Sequence, residues 1–235
     1  MDESAATMAA TSIAERLGEV RERIAQAAAG SGRDPSAVCL IAVSKTKSTE
    51  QIRAAYDAGQ RDFGENYVQE LTSKAAELGG LPGLRWHLIG HVQTNKARRV
   101  VEVAHMVHSV DSERVAIELG KRAAAAGRRL PVLIEVNIGE EGSKTGASRV
   151  AVRDLLQVVQ AQPGLEAAGL MTVPPYELDA RQTAPYFERL ARLRDELGGP
   201  QQLRELSMGM SHDFEVAIAH GATMVRVGTA IFGSR

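Results

Sequence analysis

A lysine follows the first strongly apolar run of the sequence, which covers residues 38–43. Alternation along a strand places Lys45 on the same side as Ile41 and Cys39. An amine withdrawn from water loses its proton more easily and becomes a nucleophile that condenses with aldehydes. Lys47 has the same parity but lies further from the strand, so we expect it at the rim. The alternative is that Lys45 is an ordinary solvated lysine, and the residues around it distinguish a nucleophile from a solvated side chain.

Small and hydroxyl-bearing residues follow two late apolar runs, over residues 203–208 and 223–227. They are Gly209 and Ser211 after the first run, and Gly228 and Thr229 after the second. Backbone N–H groups and hydroxyls at such strand ends bind phosphate groups. Ser211 is also a typical N-cap for a helix over 214–220, and one residue can serve both roles. We therefore expect a local phosphate site, with Asp213 directed away from it.

Arg226 interrupts the apolar segment from Met224 to Val227. A buried arginine needs partners, so its presence inside a strand indicates either a ligand or an ion pair with an acidic residue in the interior. The sequence leaves both alternatives open.

The histidines and the single cysteine give weaker signals. His105 and His108 fall on opposite sides of a strand and cannot share a metal ion, whereas His87 and His91 have compatible parity but no third ligand nearby in the sequence. We expect no metal site. Cys39 is interpreted as a small buried hydrophobe rather than a reactive thiol. A single cysteine excludes an internal disulfide and fits a reducing compartment, so we expect the cytoplasm.

Eight strand-like runs alternate with helical stretches and must position these residues. The predicted strands cover 38–43, 62–63, 86–89, 105–110, 131–137, 165–171, 203–208 and 223–227. The predicted helices between them cover 51–58, 68–78, 96–103, 114–125, 149–160, 184–197 and 214–220. Eight parallel strands with right-handed crossovers close into a (β/α)8 barrel, which gathers the C-terminal strand ends on one face. A doubly wound open sheet has the same alternation, but no glycine-rich nucleotide motif follows any strand.

Charge and periodicity describe the rest of the chain. Ile13, Leu17, Val20 and Ile24 recur at helical spacing and predict an extra helix before the barrel. Residues 1–11 are small, polar and aperiodic, so we expect a disordered tail followed by one barrel domain over 12–235. The 28 basic and 29 acidic residues nearly balance, which argues against nucleic-acid or anionic membrane partners. No apolar stretch approaches the roughly 20 residues of a membrane span.

Taken together, these segments resemble the pyridoxal 5′-phosphate (PLP) homeostasis proteins, the YggS and PROSC family. The resemblance covers nearly the whole chain after the tail. The segments that carry it are Ala42–Lys47, Phe63–Glu70, Trp86–Gly90, Gln93–Lys96, Ser143–Gly146, Gly169–Met171, Ser207–Ser211 and Val225–Gly233.

The resemblance implies a PLP site and a role for each matching residue. It makes Lys45 the lysine that forms a Schiff base with PLP, and Arg226 the arginine that faces the pyridine nitrogen. The other residues of the implied site are Ser211, Gly228 and Thr229 at the phosphate, Asn66 and Met171 in the pocket lining, and Ser207, Gly209 and Met210 in the strand-seven segment. The implied fold is a PLP barrel of fold type III, similar to the barrel of alanine racemase but without its C-terminal β-domain.

The implied role is PLP homeostasis, meaning storage of the cofactor and its delivery to apo PLP-dependent enzymes, without established catalytic turnover. We expect a monomer. One alternative is a weak, racemase-like PLP enzyme acting on amino acids. Such a racemase adds a β-domain and a tyrosine from its partner subunit, while only Thr229 to Arg235 follow the last predicted strand. Another alternative is a phosphosugar aldolase that uses Lys45 without a cofactor.

Overall fold

Eight parallel strands form a closed barrel in chain order, with β1 also paired to β8. The computed structural model describes residues 3–140 and 145–233, and the side chains of α1 only from residue 13. The strands are β1 Cys39–Val43, β2 Asp62–Glu65, β3 Arg85–Leu88, β4 Met106–Val110, β5 Leu130–Glu135, β6 Leu165–Met171, β7 Glu205–Met210 and β8 Met224–Val227. The predicted (β/α)8 barrel is therefore confirmed, and the open sheet is excluded.

Helices follow the strands and cover the outside of the barrel. They are α1 Glu3–Gly30, α2 Thr49–Asp57, α3 Val68–Leu78, α4 Ala97–Val103, α5 Glu113–Ala125, α6 Val152–Gln160, α7 Ala184–Glu196, α8 Gly199–Gln202, α9 Phe214–Ala219 and α10 Thr229–Phe232. Most bounds fall within one or two residues of the prediction. Helix α6 starts three residues later than predicted, and the short α8 was not predicted. Strand β7 extends two residues further, so Gly209 and Met210 belong to the strand itself.

Side chains of each strand alternate between two apolar layers. Ile41, Met106, Leu133 and Met171 lie in a group inside the barrel, and Cys39 packs against it. Residues of the opposite parity belong to the larger cluster between strands and helices. Cys39 and Ile41 thus share one side, as predicted, and the structure shows that this side faces the barrel interior; Lys45 has the same parity.

Helix α1 packs across the outside of the barrel near its last elements. Its predicted apolar face is confirmed, because Ile13, Leu17, Val20 and Ile24 are all at most 5% exposed. Burying this face is what keeps an amphipathic helix attached to the barrel. The Arg16 side chain donates to the Ile231 carbonyl at 2.6 Å.

The N-terminal segment belongs to the first helix in the structure. The disordered tail over residues 1–11 stays a prediction, and α1 begins at Glu3. Residues 3–11 contain four alanines, and alanine has the highest helix propensity, so the helix continues backwards from its packed part. Met1 and Asp2 lie outside the described residues, as do Ser143 and Lys144 of the segment Ser143–Gly146. Across the described part of the chain, no helix combines the length and apolarity that a membrane crossing requires.

Candidate functional site

The turn that carries Lys45 is held on both sides by one polar cluster. The Ser44 hydroxyl donates to Glu65 Oε1 at 2.6 Å, and the Thr46 backbone N–H donates to Glu70 Oε2 at 2.7 Å. Thr46 has a φ of +63°, a left-handed conformation that is uncommon outside glycine. The hydrogen bonds to either side hold this conformation, and they fix the backbone from which the Lys45 side chain extends.

The two candidate lysines differ in their contacts. Lys45 is half-buried and makes no hydrogen bond or ion pair with any described residue. Lys47 donates to the carbonyl oxygens of Phe232 and Gly233 at 3.4 and 3.1 Å. Since a nucleophile needs an uncommitted amine, the structure favours Lys45 over Lys47.

A buried lysine in α3 completes the cluster below this turn. Lys74 Nζ donates to the Ser44 carbonyl at 2.8 Å and to Glu65 Oε1 at 2.9 Å, and it pairs with Glu70 Oε2 at 2.7 Å. Burial raises the pKa of Glu65 despite hydrogen bonds from Ser44 and Lys74. The second Glu65 oxygen is buried and has no hydrogen-bond partner. Sequence reasoning missed Lys74, whose only signal was its spacing of four residues from Glu70.

Arg226 lies inside the barrel with unused donors. It is 4% exposed, and its Nη1 and Nη2 donate to Ser207 Oγ at 2.6 Å and to the Thr172 carbonyl at 2.8 Å. A guanidinium has five N–H groups, so three have no acceptor among the described residues. Burial lowers the pKa of Arg226 to about 10, which leaves it charged at neutral pH.

The ion-pair alternative for Arg226 is not what the structure shows. No carboxylate of the described residues lies within ion-pairing distance of the guanidinium. Asp213 and Glu135 instead favour its charge from a longer range. An incompletely paired, buried cation is costly, and a perturbed group of this kind is a candidate for a ligand site.

The expected phosphate region is a cluster of donors around Ser211. The Ser211 hydroxyl accepts from the backbone N–H groups of Gly228 and Ala230 at 3.2 and 3.4 Å. Ser211 therefore caps the turn after β8 and not the helix α9, which corrects the N-cap interpretation. The N-cap of α9 is Asp213, whose carboxylate accepts from the Met210 N–H at 2.7 Å.

Close packing explains why glycine occurs at position 209. Gly209 has a φ of +92°, and a Cβ there would lie 2.6 Å from Ala217 Cβ and 2.9 Å from Phe214 Cα. Backbone atoms cannot yield to such a contact, so a glycine is required. The strand end thereby packs directly against α9.

The other predicted site residues lie at the same end of the barrel. Asn66 is half-buried at the end of β2, and a Cβ on Gly90 would lie 2.3 Å from the Asn66 carbonyl oxygen. Met171 is 1% exposed at the end of β6, where it pairs with Ser207 of β7. Met210 is half-buried at the end of β7, and Thr229 is exposed at the start of α10. Eight of the ten predicted residues therefore belong to C-terminal strand ends or to the segments directly after them, whereas Ser207 and Arg226 lie within β7 and β8.

Two buried histidines were not predicted to interact. His87 Nδ1 lies 3.0 Å from His108 Nε2, and His87 Nε2 lies 3.0 Å from Asp62 Oδ1. Their inward parity was readable from the sequence, but the barrel register that joins them was not. The described residues contain no group of three side chains placed to hold a metal ion. Burial raises the pKa of the Cys39 thiol to about 12, which agrees with its interpretation as a small hydrophobe.

The chain matches known proteins over nearly its whole length. The family model described as alanine racemase, N-terminal domain, matches residues 16–235. A protein of Pseudomonas aeruginosa named pyridoxal phosphate homeostasis protein is 44% identical over 225 residues, which cover 96% of each chain. This chain belongs to the pyridoxal phosphate homeostasis protein family.

Solved structures agree with that membership. PipY of Synechococcus elongatus PCC7942, solved with PLP bound, is 41% identical with a TM-score of 0.82, and the match covers 94% of this chain and 100% of PipY. The alanine racemase of Corynebacterium glutamicum is 18% identical with a TM-score of 0.71, covering 96% of this chain and 62% of that enzyme. The racemase likeness shows the fold alone, whereas PipY is similar in both sequence and fold and was solved with PLP bound.

Proposed function

We propose that this protein binds PLP at the C-terminal end of its barrel, linked covalently to Lys45, and that it stores and delivers the cofactor in the cell. Relatives of 44% identity named pyridoxal phosphate homeostasis protein support this role. A relative of 41% identity has been solved with PLP bound. Among the residues of the chain itself, the buried Arg226 with three uncommitted N–H groups carries the proposal, because it requires an acceptor that the described residues do not supply.

The residues of the site fit the parts of the cofactor. Lys45 offers a free amine to the aldehyde, and Arg226 offers donors to the ring nitrogen. Ser211, Gly228 and Thr229 are the proposed phosphate ligands. The proposed lining is formed by Asn66, Met171, Ser207, Gly209 and Met210. A PLP molecule contributes an aldehyde that condenses with an amine, with loss of one water.

We further propose that the protein has no catalytic turnover of its own. PLP enzymes use the ring as an electron sink, which works best when the ring nitrogen is protonated by an acidic partner. Arg226 has a pKa of about 10 and only donates hydrogen bonds, so it leaves that nitrogen unprotonated. Racemisation or transamination of amino acids that disappears in Lys45→Ala would contradict this part.

Covalent trapping tests the binding proposal. The purified protein mixed with PLP is expected to turn yellow, and borohydride reduction should leave a pyridoxyl adduct on Lys45 that peptide mass spectrometry identifies. Lys45→Ala should lose the adduct completely. Lys47→Ala is the matched control and should keep it, because that amine already bonds the Phe232 and Gly233 carbonyls. An adduct on another lysine in the wild-type protein would overturn the assignment, and a colourless protein trapped only with a sugar phosphate would favour an aldolase.

A transfer assay tests delivery separately from storage. The loaded protein, which we propose acts as a cytoplasmic monomer, is mixed with an apo PLP-dependent enzyme, and recovery of that enzyme's activity is followed. We expect faster recovery than with the same concentration of free PLP. Recovery at an equal or lower rate would remove delivery from the proposal and leave storage in place.

A further inference from the structure

A row of buried polar side chains extends from Arg226 into the barrel. Arg226 Nη1 lies 2.6 Å from Ser207 Oγ, and Ser207 Oγ lies 2.9 Å from His108 Nδ1. Ser207 and His108 are both fully buried. Polar groups in this position displace apolar packing and contribute to stability only when every hydrogen bond is made.

The row continues to the opposite end of the barrel. His108 contacts His87 at 3.0 Å, and His87 contacts Asp62 at 3.0 Å. Asp62 is the first residue of β2, and both its oxygens accept from Arg85, the first residue of β3. We call Arg226, Ser207, His108, His87 and Asp62 the polar chain.

The polar chain ends beside a cavity that opens at the N-terminal strand ends. This cavity has a volume of about 490 Å³ and is lined by Asp62, Arg85 and Arg21, among others. The chain therefore joins the proposed PLP site to a solvent-accessible region at the other end of the barrel.

The donor and the acceptor of each hydrogen bond in the polar chain can be assigned in turn, starting from Arg226. An arginine cannot accept, so Ser207 Oγ accepts from Arg226, and its own proton is free to be donated to His108 Nδ1. His108 then carries its proton on Nε2 and donates to His87, which donates from Nε2 to the Asp62 carboxylate. These tautomers are assigned from the network. They leave both histidines neutral, in keeping with burial, which lowers the pKa of His108 well below its ordinary value.

This order holds while each histidine carries one proton, because a second proton on either ring would turn an acceptor of the polar chain into a donor. The ionisable groups that face the two histidines are Asp62 from β2, Arg85 from β3, His105 before β4 and Arg226 from β8, with Cys39 of β1 beside Asp62. Asp62 and Arg85 together are neutral, and the positive Arg226 opposes a proton on His108.

We propose that His108, His87 and Asp62 are positioning residues of the PLP site, which act by fixing the Ser207 hydroxyl and, through it, the Arg226 guanidinium. This inference rests on the proposed function. It adds that a group at the far end of the barrel influences the cofactor, although Asp62 does not contact the site. Packing alone does not explain why these polar side chains are buried, because the neighbouring residues that fill the barrel interior are apolar.

The test compares His108→Phe with His105→Phe in the full chain. His105 lies next to His87, with ring centroids 5.7 Å apart, but it is exposed and makes no bond in the polar chain. His108→Phe is expected to weaken PLP binding roughly tenfold, the equivalent of one hydrogen bond to a charged group. It should also shift the pH midpoint of the absorption change of bound PLP. His105→Phe should leave both unchanged.

Asp62→Asn keeps the approximate shape of the side chain and removes the charge. We expect the pH midpoint of the absorption change to shift in the same direction as in His108→Phe, but by less. Combining the two substitutions should add no further shift, because both interrupt the same polar chain. Additive shifts, or a His108→Phe spectrum and affinity equal to wild type, would overturn the inference.

Thermal unfolding of each variant shows whether it is folded. Should His108→Phe not fold, the comparison of Asp62→Asn with His105→Phe decides alone: a spectral shift in the first and not in the second supports the polar chain, and equal spectra refute it. Failure of wild-type protein to form an adduct on Lys45 would instead refute the proposed function, so the two failures are distinguishable.

Discussion

The pKa values of buried carboxyl groups are shifted in opposite directions at the two ends of the barrel. At the N-terminal end, hydrogen bonds and charge from Arg85 and His87 outweigh burial and lower the pKa of Asp62. At the C-terminal end, burial dominates and raises the pKa of Glu65, Glu135 and Asp213. Charges at one end are paired within the protein, whereas those at the other end are left incompletely compensated.

This difference indicates which end of the barrel gains from a bound ligand. At the N-terminal end the charged groups are paired within the protein, so they stabilise the barrel without a bound ligand. An end with raised carboxyl pKa values, a free amine and unused arginine donors is costly on its own and gains from a charged ligand. In a (β/α)8 barrel the ligand-binding end is the C-terminal one, and the electrostatics of this chain follow that division.

The largest effect is expected where the C-terminal end is most tightly packed. Gly209→Ala forces a left-handed residue into contact with Ala217 and Phe214, so unfolding should be easier by about 3 kcal/mol or more. Gly83→Ala, in the loop before β3 with a φ of +73° and only ordinary contacts, should cost about 1 kcal/mol. Urea unfolding measures both, and equal losses would show that packing at Gly209 is not tighter.

A smaller effect on the free energy of unfolding is expected at the N-terminal end, where Asp62 is paired with Arg85. Pairing lowers the folded-state pKa of Asp62, so its stabilising contribution is complete above the unfolded pKa near 4 and is lost as the pH falls through the folded value. Asp62→Asn should lower the free energy of unfolding by about 1 to 3 kcal/mol at neutral pH, since Arg85 is partly exposed.

The deficit of Asp62→Asn should shrink as the solution is acidified. Urea unfolding at a series of pH values measures it. A deficit that stays constant down to strongly acidic pH would show that Asp62 is not ionised and paired in the native protein.

The smallest effect is expected at the C-terminal end, where the pKa of Glu65 is shifted in the opposite direction to that of Asp62. Burial raises the folded-state pKa of Glu65, so ionising it destabilises the fold as the pH rises from the unfolded pKa through the folded one. Glu65→Gln lacks this cost, and its stability relative to wild type should increase between mildly acidic and neutral pH, by about 1 kcal/mol or less. A relative stability independent of pH would contradict the assigned direction.

The fold was predictable because apolar alternation and barrel closure are properties of single segments. Strand β6 and helix α3 have the predicted bounds, and the inward parity of Cys39 and Ile41 follows from a period of two. The start of α1 was harder to predict, because small residues indicate disorder by composition, while a run of alanines beside a packed helix favours its extension.

Sequence reasoning supplied candidate residues for the proposed site but not the hydrogen bonds among them. Glycines, hydroxyls and Lys45 at strand ends indicated a phosphorylated aldehyde, and the resemblance supplied their roles. The capping partner of Ser211 and the contact between His87 and His108 depend on which strands are neighbours and on their register. Such relations are set by closure of the whole barrel, and no local pattern contains them.

The fixed turn around Lys45 has a consequence for how quickly a ligand leaves. Ser44 and Thr46 are held by Glu65 and Glu70, so the backbone of the nucleophile is already ordered before a ligand arrives. Binding then involves little further loss of conformational entropy at this position. For the proposed covalent link between PLP and Lys45, we therefore expect release to be limited by hydrolysis of that link and not by opening of the turn.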